Sequence, residues 1–257
     1  MPISDMKPNA ARMWDYIMGG THNFSVDRAA VEIVRKAYPL YDDGLREQRQ
    51  FLQRAMTYMA KEKGLDKFLD FGSGLPTEGN VHEVVQAINP SAQVIYSDKD
   101  TIAVAFGQDI LGDTPNVQYV HCDVTDVNPL LTSPVITGLF GGDRGVGIGL
   151  VGVAPFVPDE PLRQFFSTMY EWAAPGSHIA VTSAREQLTM IEGMGEVSEK
   201  VEIRLYTRNE QETLDVLGPW NLTEPGLVLG VSWGLPEDSP EINRELEKYS
   251  ICFVAYK

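Results

Sequence analysis

Three aspartates, Asp70, Asp98 and Asp123, each close a short apolar run of the kind that forms a buried strand. In an open α/β sheet, ligands bind in the crevice beyond the carboxyl ends of the strands. A carboxylate there accepts hydrogen bonds from hydroxyl and amine groups. Asp98 lies 24 residues beyond Gly74, near the spacing of roughly 20 at which an acid receives the hydroxyls of a ribose. Asp123 is then placed to meet the exocyclic amine of an adenine. Asp70 opens the turn Asp70-Phe71-Gly72-Ser73-Gly74, whose glycines let the backbone approach a ligand closely. Any one of these acids could simply cap a turn or a helix. Three in register at successive strand ends point to one adenosine-containing ligand.

A dinucleotide needs a third glycine and a helix amino terminus for its pyrophosphate. Here Leu75-Pro76-Thr77 follows the turn, so the third glycine is missing and the helix is expected to begin later. A sulfonium cofactor has no phosphate, and an acid beside the turn suits its cationic amino-acid end. Gly147-Ile148-Gly149-Leu150-Val151-Gly152 does match G-x-G-x-x-G, but it lies within an apolar strand and Pro155 and Pro158 bar the helix that must follow. It reads as a decoy.

Those acids must be held by regular elements, and the pattern supplies them. The first 60 or so residues read as three helices: one capped by Asn9 and ending at Gly19-Gly20, one over Val26 to Ala37, and one over Gly44 to Lys63. From Lys67 onward strands alternate with helices. Strands are expected near Phe68 to Phe71, Gln93 to Ser97, Val117 to His121, Val146 to Val153 and Ser177 to Ser183. Helices fall at Glu78 to Ile88, Thr101 to Leu111 and Pro161 to Ala173. This alternation predicts a mainly parallel sheet covered on both faces. Thr207 and Glu210 form a capping box for a helix to about Leu217. Two last strands, near Leu227 to Trp233 and Ser250 to Ala255, form a hairpin, with a surface loop and a short helical piece between them.

Composition narrows the partners. The 257 residues carry 36 acids against 21 bases, a net charge of −15, which repels phosphate backbones and anionic membranes at long range. A small-molecule substrate is expected, with no nucleic acid and no membrane. The polar start, Met1 to Ala10, has no apolar signal core, and a cytoplasmic location is expected. Cys122 and Cys252 read as buried small hydrophobes, and no metal site is apparent.

With Asn9-Ala10-Ala11-Arg12-Met13-Trp14-Asp15-Tyr16-Ile17-Met18-Gly19-Gly20 ahead of Phe68 to Thr77, the chain resembles the bacterial S-adenosyl methyltransferase family long listed as a domain of unknown function. The likeness extends to Asn23-Phe24, Asp27-Arg28, Asn80 to Glu83, Phe156 to Asp159 and Glu224 to Leu227. His22, Lys99 and Ala154-Pro155 depart from the family's usual pattern and bear on the substrate. The resemblance implies bound S-adenosylmethionine and a seven-stranded Rossmann-like methyltransferase sheet, mostly parallel with a C-terminal antiparallel hairpin. Residues 1–64 are read as an N-terminal helical cap and 65–257 as the cofactor-binding domain, together one structural unit.

The cap is the expected lid. Arg12 is read as holding the cofactor carboxylate, with Gly19 and Gly20 shaping the site. Tyr16 and His22 are the candidate catalytic residues, His22 as the titratable base. Asp70, Gly72, Ser73, Gly74, Asp98, Lys99, Asp123, Val124 and Val153 complete the expected cofactor contacts. The simpler reading makes Met13, Tyr16, Ile17 and Phe24 core and Arg12 solvated. Two rival functions stand beside methyl transfer to a small molecule: a catalytically silent cofactor-binding sensor and an NAD-dependent oxidoreductase. The oligomeric state is left open, a homodimer being one option.

Overall fold

The structure, a computed structural model, describes residues 7–76 and 79–257. Thr77 and Glu78, which belong to the Leu75-Pro76-Thr77 signature and the expected start of a helix, lie outside the described residues. Three helices come first, α1 (Ala10–Ile17), α2 (Ser25–Ala37) and α3 (Tyr41–Lys61). The alternating part follows with β1 (Lys67–Phe71), α4 (Val81–Ile88), β2 (Gln93–Asp98), α5 (Thr101–Leu111) and β3 (Val117–His121). Then come α6 (Asn128–Leu131), α7 (Pro134–Phe140), β4 (Gly147–Leu150), α8 (Asp159–Trp172) and β5 (His178–Ala184). The chain closes with α9 (Met194–Val201), α10 (Glu210–Leu217), β6 (Asn221–Leu222), β7 (Val228–Leu229) and β8 (Ser250–Tyr256).

One sheet runs in the order β3-β2-β1-β4-β5-β8-β6. The first five of these strands pair in parallel, whereas β8 runs antiparallel to β5 and to β6. All seven expected strands are present, the one expected near Leu227 to Trp233 reduced to the two-residue β7, and the unforeseen β6 joins β8 as an eighth. Chain direction across the sheet reverses between β1 and β4, so a crevice opens there beyond the strand ends.

Alternation along β1 explains how the site is aimed. Phe68 and Asp70 face the α3 side, while Leu69 and Phe71 enter the opposite core beneath α8. On α3, Phe51, Leu52, Ala55, Met56, Met59 and Ala60 recur at helical spacing and are buried against the sheet. Each such large side chain contributes about 1.5–3 kcal/mol on burial. Met13 and Ile17 of α1, Val31 and Val34 of α2, and Met194, Val197 and Val201 of α9 make a third, separate core above the strand ends.

Several expectations needed correction. The strand expected from Val146 to Val153 runs from Gly147 and stops at Leu150, because Val151, Gly152 and Val153 form a turn at the strand's carboxyl end with Gly152 at φ +73°. The helix α10 is capped two residues later than expected. Asn209 accepts from the Glu212 amide at 2.9 Å, and the Glu212 carboxylate accepts from the Asn209 amide at 2.9 Å. Asn209 wins because Arg208, one residue earlier, is 1% exposed and bound into the core. The loop from Pro236 to Lys248 forms turns and contains no helix.

Candidate active site

A cavity of about 570 Å³ opens at the reversal point. Nine of the expected residues line it together: Asp70, Gly72, Ser73, Gly74, Asp98, Lys99, Asp123, Val124 and Val153. The turn after β1 is fixed by its own hydrogen bonds. The Ser73 hydroxyl donates to the Asp70 carbonyl at 2.6 Å, and the Ser73 amide donates to the Ser97 carbonyl at 3.0 Å. Gly72 takes φ +61°, and a Cβ there would lie 2.4 Å from Val153 Cγ2. Only glycine fits this crossing of two strand ends.

Asp98 is 7% exposed and holds the turn from the side. Its Oδ2 accepts from the Gly74 amide at 3.0 Å and its Oδ1 from the Asp100 amide at 2.9 Å. Burial raises its pKa, and these two amides oppose the rise. Each carboxylate oxygen has a second lone pair, so two further donors can be accepted. Asp123 receives the Thr125 amide and hydroxyl on Oδ1, both at 2.9 Å. Its other oxygen faces no partner among the described residues.

Asp70 is 4% exposed under α3. Burial pushes its carboxyl up to about 7, while the Arg49 charge and the Ser73 contact pull the other way. Gly149 makes room for it, since a Cβ at that position would stand 2.5 Å from Asp70 Oδ1. The glycine pattern in β4 is therefore a packing device beneath the acid, in line with its reading as a decoy. Arg49 lines the same cavity, and its guanidinium lies 5.8 Å from the centre of the Trp14 ring. Burial lowers its pKa, opposed first by Asp70. Its Nε has no hydrogen-bond partner among the described residues, and neither has Trp14 Nε1 or Ser183 Oγ.

Five expected residues are placed elsewhere. Arg12 is 3% exposed, but its guanidinium is consumed by the fold: Nε donates to Asp27 at 2.8 Å, Nη1 to Asp100 at 3.3 Å, and Nη2 to the Lys7 carbonyl at 2.8 Å. It joins the starts of α1, α2 and α5 and does not line the cavity. The His22 ring packs on Phe106 at 5.1 Å, and Tyr16 lies under Arg35 at 5.4 Å. Neither ring lines the cavity. Gly19 is exposed with open space around it, and Gly20 lies over Asp15, where a Cβ would come within 2.0 Å of the carboxylate. Gly20 is needed by the Asp15 contact and Gly19 by its φ of +82°.

Sequence reasoning missed Arg49, Trp14 and Ser183. A signal was present for the first. Leu45, Arg49 and Leu52 fall on one face of α3 at steps of four and three, so a charge interrupts an apolar stripe.

An open parallel sheet of this order, with acids at three adjacent strand ends, defines a Rossmann-like methyltransferase fold. The profile of the S-adenosyl methyltransferase family matches residues 1–257. The chain belongs to that family. It is similar to a candidate methyltransferase from Thermobifida fusca YX, with 30% identity over 99% of this chain and 97% of the other and a TM-score of 0.88. A DUF574 family protein from Streptomyces avermitilis MA-4680 is 27% identical, with 99% of each chain covered and a TM-score of 0.89. The N-methyltransferase NodS of Bradyrhizobium japonicum WM9 shares the fold at 12% identity, with 84% of this chain and 97% of the other covered and a TM-score of 0.51. No match to this chain was found among curated proteins.

Proposed function

We propose that the protein transfers a methyl group from S-adenosylmethionine to a small-molecule acceptor, with the cofactor seated across the ends of β3, β2, β1 and β4. The observation that carries this reading is the meeting, in one cavity, of Asp70, Asp98 and Asp123 with the unpartnered Arg49 Nε. The donor set fits the cofactor part by part. Asp123 would accept from the adenine amine and Asp98 from the ribose hydroxyls. Asp70 and Arg49 form an acid–base pair complementary to an α-amino acid, ammonium toward Asp70 and carboxylate toward Arg49. Gly72 and Gly74 keep the turn free of side chains where the chain would pass.

When bound, that cofactor supplies an electrophilic methyl on a cationic sulfur, so the difficult chemistry is its own. The chain's residues bind, orient and exclude water. Orientation of this kind can supply up to about 7–11 kcal/mol. Trp14 and Ala11 of α1 roof the cavity, and Gln48 of α3 is held by a hydrogen bond from Thr182 at 3.1 Å. No histidine lines the cavity among the described residues.

Calorimetry with S-adenosylhomocysteine tests the cofactor site, with micromolar or tighter binding expected. Transfer of labelled methyl from S-adenosylmethionine into an extract of small molecules tests the activity. Binding without any transfer would leave a sensor; tight binding of NAD alone would sink the reading.

A further inference from the structure

The cavity continues past the cofactor-side residues. Beyond β4 it passes between the ends of β5 and β8 and the cap, where its walls change character. Tyr38, Leu45, Met194, Val197, Leu246 and Tyr249 line this second chamber, and none carries a formal charge. Tyr38 and Tyr249 pack edge to face at 5.1 Å, a geometry suited to receiving another ring. Burial raises the Tyr38 and Tyr41 pKa values, so both hydroxyls stay protonated and neutral.

The charged residues at its margin face solvent. Glu202 is paired with Lys7, and Arg204 is exposed with its guanidinium on the Tyr206 ring at 4.9 Å. Arg49 is coupled to Asp70. An ionised ligand here would lose its hydration without gaining a counter-charge, a large cost. One buried polar group stays open. Ser183 at the end of β5 is 3% exposed, lines the cavity, and its Oγ has no partner among the described residues. A buried unpaired hydroxyl is destabilising, and a ligand heteroatom at that spot would relieve it.

We infer that this chamber binds the methyl acceptor, and that the acceptor is an uncharged aromatic or fused-ring small molecule with one hydrogen-bonding heteroatom directed at Ser183. The inference rests on the strand-end half being the cofactor site. Between them, α2, α3 and α9 form three walls of the chamber, so the cap selects the acceptor while the sheet holds the cofactor.

The test uses one ring with three charges: 2-naphthol, 2-naphthoate and 2-naphthylmethylammonium, titrated into the full chain saturated with S-adenosylhomocysteine. The neutral probe should bind at least about tenfold more tightly than either ion, because the ions enter without a partner charge. Ser183→Ala should weaken 2-naphthol by about fivefold, the effect of one hydrogen bond. Val197→Trp should fill the chamber and abolish 2-naphthol binding while S-adenosylhomocysteine still binds. Equal or tighter binding of an ion, displacement of S-adenosylhomocysteine by 2-naphthol, or full binding in Val197→Trp would overturn the proposal. Binding of 2-naphthol with none of S-adenosylhomocysteine would instead overturn the cofactor reading and leave the chamber standing.

Discussion

At the scale of single residues, Asp98 and Asp70 are both buried acids, yet they do different things. Asp98 is fixed by two backbone amides, so it is pre-aimed. Asp98→Ala should weaken S-adenosylhomocysteine binding by roughly 1.5–3 kcal/mol, the worth of hydrogen bonds to a charged group; unchanged affinity by calorimetry would reduce Asp98 to a turn anchor. Asp70 is held near 7 by burial, against about 3.9 in an unfolded chain. The fold therefore binds the Asp70 proton more tightly than the unfolded chain does. Its stabilising contribution is full below pH 4 and is lost as pH rises toward 7. Asp70→Asn should thus stabilise the ligand-free protein at pH 8 by up to about 4 kcal/mol, less what Arg49 loses with its partner, and change little at pH 4. Urea melts at the two pH values check this, and a variant weaker than wild type at pH 8 would contradict it. The same variant should bind S-adenosylhomocysteine less tightly, since the ammonium loses its carboxylate. These acids were readable because strand ends announce themselves in sequence. Arg49 left a trace as a charge in the apolar stripe of α3, whereas Ser183 left none, since its importance lies in what it fails to contact.

At the scale of elements, local chemistry decided which boundaries could be read. Helix α5 and strand β3 begin and end where the pattern predicts, because Asp100 caps one at 2.7 Å from the Ile102 amide and alternating burial marks the other. The helices α6, α7 and α9 were not foreseen, being short and lying in stretches rich in Pro, Gly and Ser. The post-β4 segment shows how a long-range contact overrides local pattern. Arg208 donates to the carbonyls of Ala154 at 3.0 Å and Val157 at 2.6 Å and pairs with Asp159 at 2.7 Å. It pins the segment carrying Val153 and Phe156 against the cavity. Arg208→Met should cost about 1–3 kcal/mol for each buried carbonyl it strands, and should loosen cofactor affinity with it. A thermal melt within 2 °C of wild type would show that the segment holds itself.

At the scale of the whole molecule, the amino-terminal helices and the sheet are coupled through one buried cluster. Asp27 is fully buried and receives the amides of Asn9 and Phe24 as well as Arg12 Nε, so it joins the starts of α1 and α2. Arg12 then reaches Asp100, the cap of α5, beside the Asp98 that lines the cavity. The cap's own core of α1, α2 and α9 is distinct from the two cores that sandwich the sheet. Such an arrangement can open as a unit without melting the sheet. Arg12→Met leaves Asp27 with two amide donors and no charge partner, at a cost of about 3–5 kcal/mol for a broken buried pair. That loss should fall on the cap. Amide hydrogen exchange in α1 and α2 should quicken strongly while β1 and β4 stay protected. S-adenosylhomocysteine affinity should fall, because Ala11 and Trp14 roof its cavity from α1. Saturating S-adenosylhomocysteine should then restore part of the α1 protection, since binding favours the closed cap by mass action. If the exchange of α1 and β1 rose together, the cap and sheet would be one cooperative unit, and Arg12 would be a core ion pair with no bearing on access to the site.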